Sequence, residues 1–581
     1  MRTAGVWYRA PTRAIMPSPP CNHSLSWHLI SMILTLSIAA AIGVLWLAER
    51  SFATIAFATA ALCFNAAILL LLVADLERAM LLSAILTAAI AGASHIKYKH
   101  SGLKLIVTDL PLLFAGTASF MVVQYPLAFS AVVLGAVAIV LAVVATVFGI
   151  AGASIAIEVR LLLFAIASFA LAATHRSAGG AASFQRTVAQ PRGYFSSFVA
   201  SLLDPFSWNA SGGLALIDIA GEQLPLMAAV AAGAPDRPDI IVIQHESIFD
   251  PRIYGLPVDP GVEAFLSPRH GRSGSLNVDI FGGGSWQSEF SLLTGLSSAS
   301  FGSNAYFLFK RGVGRFKNTL PHVLAALGYR TTLMSSCRRN FLNYNEFYSA
   351  VGMDERIFTD DLPAPFDVDR FEATNSDAVF LEAAIGAHIN SIARDAAPRF
   401  LYLLTNANHG PHNRRLVAPG QYESERAFAA ASLPDAQYAE YYARLAETAA
   451  AWRRVKSELA SRFPDRPMLI VHYGDHQPVM TRRIETRLRL ATDPRRQFRT
   501  FYAIESLNDS SDRLVAGRGA DLDIAFLGTV ALQQAQLPLD EIFATRASLL
   551  AQCSDGYFAS PSERKRRFHR TLVERGIIDL A

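Results

Sequence analysis

Five apolar runs crowd the first 175 residues of this 581-residue chain, at 30–48, 53–73, 80–94, 127–149 and 159–173. A hydrocarbon core roughly 30 Å thick takes about 20 apolar residues in a helix, which alone satisfies its own backbone there. The third run is the shortest. The first begins late and is followed at once by another, so it does not read as a cleavable signal peptide. The expectation is an N-terminal helical transmembrane bundle over residues 1–175, with about five helices. An odd number of crossings puts its two ends on opposite faces, and Arg2, Arg9 and Arg13 favour an inside N-terminus. The rest of a multi-pass protein of the inner (cell) membrane then faces the periplasm or the outside. Lys97, Lys99 and Lys104 run against that assignment, since they fall in an outside loop. They imply a miscounted span or contact with anionic head groups. The stretch 109–125, broken by Pro111 and Gly116, reads as an interfacial helix.

From 176 to 235 the composition turns to Gly, Ser, Ala and Pro, as expected of a linker with short helices. Beyond it the pattern changes again. Short apolar, partly β-branched runs at 239–244, 330–335, 400–405 and 468–473 alternate with helical spacing at 380–393 and 439–463. That alternation predicts an α/β domain over 236–581 with a mainly parallel central sheet, whose ligands gather beyond the carboxyl ends of the strands. The net charge of +4 comes without long Lys/Arg runs, so no nucleic-acid partner is expected. Four scattered cysteines, Cys21, Cys63, Cys337 and Cys553, leave room for at most an isolated Cys337–Cys553 bond.

Three motifs stand at predicted strand ends. Glu246 closes an unbroken apolar strand, where a carboxylate needs a cation or an arginine to be buried. Ser285 follows Gly282-Gly-Gly284 and opens a helical stretch, a turn that exposes backbone amides to an anion. A metal-coordinated serine hydroxyl is an activated nucleophile. The alternative is a plain helix N-cap, with Glu289 shortly after. Asp475-His476 offers an oxygen and a nitrogen ligand from one turn, suited to zinc, or to manganese where oxygens dominate. The alternative is a capping Asp beside a surface histidine. His409 and His412, in Asn406-Ala-Asn-His-Gly-Pro-His412, follow another strand. His409 is the candidate for holding a phosphoryl oxygen or protonating a leaving group, and His412 reads as a loop residue. His245 points to the opposite side of its strand, and the Ser247 hydroxyl has no special support.

Together these motifs resemble the lipoteichoic acid synthase and phosphoglycerol transferase family, the membrane-bound branch of the alkaline phosphatase (sulfatase) superfamily. Ser285-Trp-Gln-Ser-Glu-Phe290 resembles the family's nucleophile motif, with serine for the usual threonine. Gly474-Asp-His476, Glu246 and His409 fall on its metal turn, strand-end glutamate and Asn-His-x-Pro segment, and His95-Ile-Lys-Tyr-Lys99 with Thr108-Asp-Leu110 looks like its juxtamembrane segment. The resemblance implies a sulfatase-like fold and one divalent metal, manganese foremost with zinc or magnesium as alternatives, held by Glu246, Ser285, Asp475 and His476. One departure is plain: the family's Phe-Trp-Asn-Arg head-group motif is replaced by Phe341-Leu-Asn-Tyr344. The arginine fork is missing, leaving Arg338 or Arg339 as substitutes. Ser285-Trp-Gln-Ser-Glu also lacks the Pro and Arg that sulfate ester hydrolases need at those offsets.

The implied activity is a phosphotransferase that moves a phosphoglycerol-type head group from a phospholipid donor to a cell-envelope glycan acceptor, with Ser285 and His409 as catalytic residues. A phosphoethanolamine transferase is the alternative within the superfamily. An inactive lipid- or glycan-binding regulator is the alternative of another class.

Overall fold

A computed structural model describes residues 45–101, 103–112, 154–180, 192–204, 213–219, 221–233, 237–339, 341–362, 376–509, 517–519, 521–553 and 563–581, with scattered positions at 39–43 and 122–144. Among the described residues, three helices are long and apolar enough to cross a membrane: α1 (Phe52–Val73), α2 (Leu76–Ser101, apolar through Lys99) and α3 (Ile157–Ser177). Ser51 caps α1 and exchanges hydrogen bonds with Thr54, which marks the start of the helix at the membrane boundary. Helix α1 packs against both α2 and α3, and α3 turns Leu161, Leu162, Ile166 and Phe169 outward, as a lipid-facing helix does. Helix α2 outruns the predicted 80–94 at both ends because its lysines sit past the apolar stretch, where they do not interrupt it. The expected runs at 30–48 and 127–149 lie largely outside the described residues, as does most of the interfacial stretch, of which Asp109–Leu112 is helical.

The ends of these helices define two faces. The Ile155 amide bonds the Ala74 carbonyl at 2.9 Å, so α3 starts beside the α1–α2 turn and ends on the face where α1 begins and α2 ends. Lys97 sits on that second face, paired with Asp109 at 2.7 Å. Residues 112 and 154 therefore lie on opposite faces. Helix α4 (Tyr194–Leu202), within the stretch read as a linker, packs against α1 and α2.

After residue 238 a nine-stranded sheet forms from β1 (Asp239–His245), β2 (Gly271–Asn277), β3 (Arg330–Ser335), β4 (Glu355–Ile357), β5 (Arg399–Leu404), β6 (Met468–Gly474), β7 (Arg499–Leu507), β8 (Gly517–Arg518) and β9 (Leu522–Asp523). The order is β4-β3-β5-β1-β6-β7-β2-β8, with β9 also beside β2. From β4 to β6 the neighbours are parallel, while β7 runs antiparallel to both β6 and β2. Side chains of β1 alternate between two cores, as a strand buried on both faces must. Ile240 and Val242 face one, which includes Phe290 and Leu293 of α5 (Trp286–Thr294); Ile241 and Ile243 face the other, with Phe380 of α6 (Asp377–Ile392) and Trp452 of α7 (Ala436–Arg462). The same alternation turns His245 away from Glu246, into rings of Phe265, His472 and Phe501.

Candidate metal centre and nucleophile

Strands β1 and β6 lie in register, His245 opposite Gly474, so the residues that follow them emerge side by side. A β-carbon on Gly474 would stand 1.7 Å from the Ile248 carbonyl oxygen, which explains glycine at that crossing. Glu246, Asp475 and His476 meet there, buried, with ligand atoms all within 4.8 Å of one another. Ser285 comes from the other side of the cleft, over a loop in which Gly282, Gly283 and Gly284 all have positive φ. The Gly282 amide bonds the Gln477 carbonyl at 2.8 Å, fastening this loop to the β6 turn.

Ser285 opens α5, yet its side chain makes no capping bond. The hydroxyl is spent across the cleft instead, donating to Glu246 Oε2 at 2.7 Å and standing 3.4 Å from His476 Nε2. Ser285 thus stands at the N-cap position without capping the helix through its side chain. The expectation of free helix amides needs correction: Gln287 and Ser288 bond back to Gly284 and Ser285 at 2.9 Å each. That leaves the Ser285 and Trp286 amides without a backbone acceptor among the described residues.

Electrostatics at the cleft call for a cation. Asp475 Oδ1 accepts the amides of Ser247 and His476, both at 2.7 Å, but its buried Oδ2 has no hydrogen-bond partner. Burial, and Glu246 facing it, push the Asp475 carboxyl well above its ordinary range. Burial also pushes Glu246 up, but His476, His409 and the hydroxyls of Ser285 and Ser247 outweigh it and hold that carboxyl low. Burial lowers His476 against the pull of Glu246, and its Nε2 stands 3.4 Å from Glu246 Oε1. Two carboxyl groups, one imidazole and a hydroxyl around an orphaned oxygen form a donor set that fits a divalent metal.

Sequence reasoning undervalued Ser247. Its hydroxyl donates to Glu246 Oε1 at 2.7 Å and its backbone takes φ 56 to bring its amide to Asp475. His409 lies close enough for its charge to act on Glu246 and His476, with Nδ1 2.6 Å from the Gly410 carbonyl. His412 is buried and holds the Asn408 carbonyl at 2.9 Å, a loop-building role as expected. Arg444 of α7 was missed altogether. Buried at 1% exposure, it donates to the carbonyls of Ala407, His409, Pro411 and Arg414 while Glu440 holds its Nε at 3.1 Å. An arginine on the core side of a helix was the available signal.

Of the two substitutes for the phosphate clamp, Arg339 is engaged within the chain. Arg339 pairs with Asp361 at 2.5 Å, donates to Asn345 and covers the Phe358 ring, while Arg338 is exposed. Tyr344 of the altered head-group motif turns inward to Glu289, where Tyr348 and Gln244 also donate. Cys337 is a free thiol, so it does not form the Cys337–Cys553 bond considered from the sequence.

Residues 238–502 match the family model described as Sulfatase. A curated protein of Haemophilus influenzae, described only as uncharacterized, is 24% identical over 336 residues, 56% of this chain; the chain spans 59% of that relative's length. Among solved structures, the lipoteichoic acid synthase LtaP from Listeria monocytogenes is 15% identical with a TM-score of 0.42, covering 53% of this chain and 74% of that one. The Streptococcus pyogenes phosphoglycerol transferase GacH, in complex with sn-glycerol-1-phosphate, is 18% identical with a TM-score of 0.42 over 58% and 85%. The C-terminal periplasmic domain of EcEptC from Escherichia coli, in complex with Zn, is 14% identical with a TM-score of 0.36 over 54% and 86%. Behind its apolar helices, then, the chain carries a stretch, residues 238–502, that is similar to the Sulfatase family.

Proposed function

We propose that this protein is an integral-membrane phosphotransferase that moves a phosphoglycerol-type head group from a phospholipid to a cell-envelope glycan. The supporting observation is the hydrogen bond from Ser285 Oγ to Glu246 Oε2 at 2.7 Å, beside Asp475 and His476. Glu246, Ser285, Asp475 and His476 would hold one divalent cation, foremost manganese, which supplies charge neutralisation and a lowered hydroxyl pKa. Glu246 Oε2 is the atom placed to receive the Ser285 proton. Ser285 Oγ attacks the lipid phosphorus, the bond from phosphorus to the diacylglycerol oxygen breaks, and His409 protonates that oxygen. An acceptor hydroxyl then attacks the Ser285 phosphodiester, its proton passing to His409, and Glu246 returns its proton to Ser285 as the oxygen–phosphorus bond opens. The Ser285 and Trp286 amides stabilise the non-bridging oxygens. A lipid donor accounts for the apolar helices, since it does not leave the bilayer.

The test is mass spectrometry of Ser285 after incubation of the metal-loaded chain with phosphatidylglycerol and, separately, phosphatidylethanolamine. A phosphoglycerol adduct is expected. A phosphoethanolamine adduct moves the donor to the alternative head group. Absence of both, with full lipid turnover by Ser285→Ala, overturns the mechanism.

A further inference from the structure

On the membrane face where α1 begins and α3 ends, a cavity of about 320 Å³ is lined from four directions, by Arg50, Ser51, Ala53 and Thr54, by Lys104, by the end of α3 and by the start of α4. Its walls are rich in donors. Lys104 is fully buried, with Nζ donating to the Arg192 carbonyl at 2.9 Å. Arg50 is exposed, and among the described residues its guanidinium has no carboxylate in an ion pair. Gly193, the N-cap of α4 with φ 73, keeps the space open. A β-carbon there would stand 3.3 Å from Lys104 Nζ, 3.3 Å from Ser196 Oγ and 3.6 Å from Arg50 Cδ. The nearby carboxylate, Glu49, is already covered by the amide and hydroxyl of Ser196, at 3.1 and 2.6 Å.

One polar atom in this wall has no use within the chain. Ser197 is 2% exposed and lines the cavity, yet its Oγ has no hydrogen-bond partner. Two cations, an orphaned hydroxyl and the N-terminus of a nine-residue helix are what a phosphate requires. Burial, and Arg50 beside it, push the Lys104 ammonium down to about 7, with Glu49 pulling the other way; an anion would restore its charge. Next to Arg50, Trp46, Leu47 and Phe52 expose apolar side chains at 56, 79 and 79%.

We infer that this cavity binds the phosphate of a phospholipid head group, with the acyl chains lying along Leu47 and Phe52. The site shares no residue with the Ser285 centre and does not depend on the activity proposed for it. A free organic phosphate offers the same anion without the chains.

The experiment uses the full-length Ser285→Ala chain in detergent with EDTA, so that neither turnover nor metal-assisted binding at the cleft contributes. Native mass spectrometry follows retention of phosphatidylglycerol, of diacylglycerol with the same acyl chains, and of sn-glycerol 3-phosphate. Preferential retention of phosphatidylglycerol, reduced about tenfold by Arg50→Gln and by Ser197→Val, is the expected result. Arg50→Gln alters an exposed side chain, so that variant tests binding even where Ser197→Val fails to fold. Equal retention of diacylglycerol, or unchanged retention in Arg50→Gln, overturns the site. Arg50-dependent binding of glycerol phosphate that displaces the lipid supports the phosphate site and overturns the lipid as its source.

Discussion

A buried carboxylate oxygen with no partner costs free energy that a folded chain rarely leaves uncompensated. Asp475 Oδ2 is such an oxygen, and it lies where Glu246 and His476 also point. Asp475→Asn is therefore expected to lower bound metal per chain at least tenfold, by elemental analysis of the purified protein, while thermal stability without metal stays the same or rises. Metal content equal to the parent would refute the assignment of that oxygen. His388 on α6 tests burial without the metal. It is 3% exposed with Nε2 unpartnered, and burial pushes it down to about 4, with Asp239 opposing and Arg399 and Arg466 adding to the fall. The folded value lies below the unfolded value near 6.5, so the unfolded chain binds the proton first as pH drops. The stability is full above about pH 6.5 and is lost towards pH 4, by on the order of 3 kcal/mol. His388→Gln should flatten the fall of Tm between those pH values, and an undiminished fall in the variant would exclude His388 as its source.

Elements carry these residues into place. Strand ends at β1 and β6 were legible, because strands buried on both faces read as unbroken apolar runs. Strands β2, β8 and β9 were not: Gly271–Asn277 contains two glycines and four polar residues and alternates no apolar face. Neither was β7, whose Arg499 and Glu505 interrupt its apolar run. At this scale Arg444 is a positioning residue, a single guanidinium of α7 that organises the loop carrying His409. Arg444→Met leaves four carbonyls without those donors, a cost of roughly 2–5 kcal/mol in a buried site. Turnover should fall about tenfold with lipid KM little changed, and the pH profile of kcat should lose the limb belonging to the leaving-group acid. An unaltered pH profile would show that the arginine serves stability alone.

At the scale of the whole molecule, stacked cations join the membrane helices to the sheet domain. The Arg482 guanidinium lies 4.2 Å from the Tyr98 ring at the end of α2 and 4.6 Å from the Phe281 ring. Phe281 immediately precedes the glycine loop that holds Ser285. Lys97 likewise sits 5.8 Å over the ring of Tyr306 while paired with Asp109. These contacts give a protein-based reason for lysines on the face of the sheet domain, so neither a miscounted span nor a lipid contact is needed to explain Lys97. Arg482→Ala should reduce turnover of a bilayer lipid about threefold to tenfold, in line with a cation–π pair of about 1 kcal/mol. Cleavage of the soluble ester bis(4-nitrophenyl) phosphate should stay within about twofold. An equal loss on both substrates would show that Arg482 acts on the chemistry instead of the docking.

Local pattern alone determined that apolar helices precede an α/β domain, because hydropathy and strand burial are written in consecutive residues. It also marked Glu246, Ser285, Asp475 and His476, since each stands beside a strand end or a glycine turn visible in the sequence. What joins Ser285 to Glu246 across 39 positions, and gives Ser247, Arg444 and Tyr344 their partners, was decided only when β1, β6 and the loop before α5 packed together. Hydrogen bonds and charge pairs fall off within a few ångströms, so their partners depend on tertiary distance, which sequence spacing does not encode.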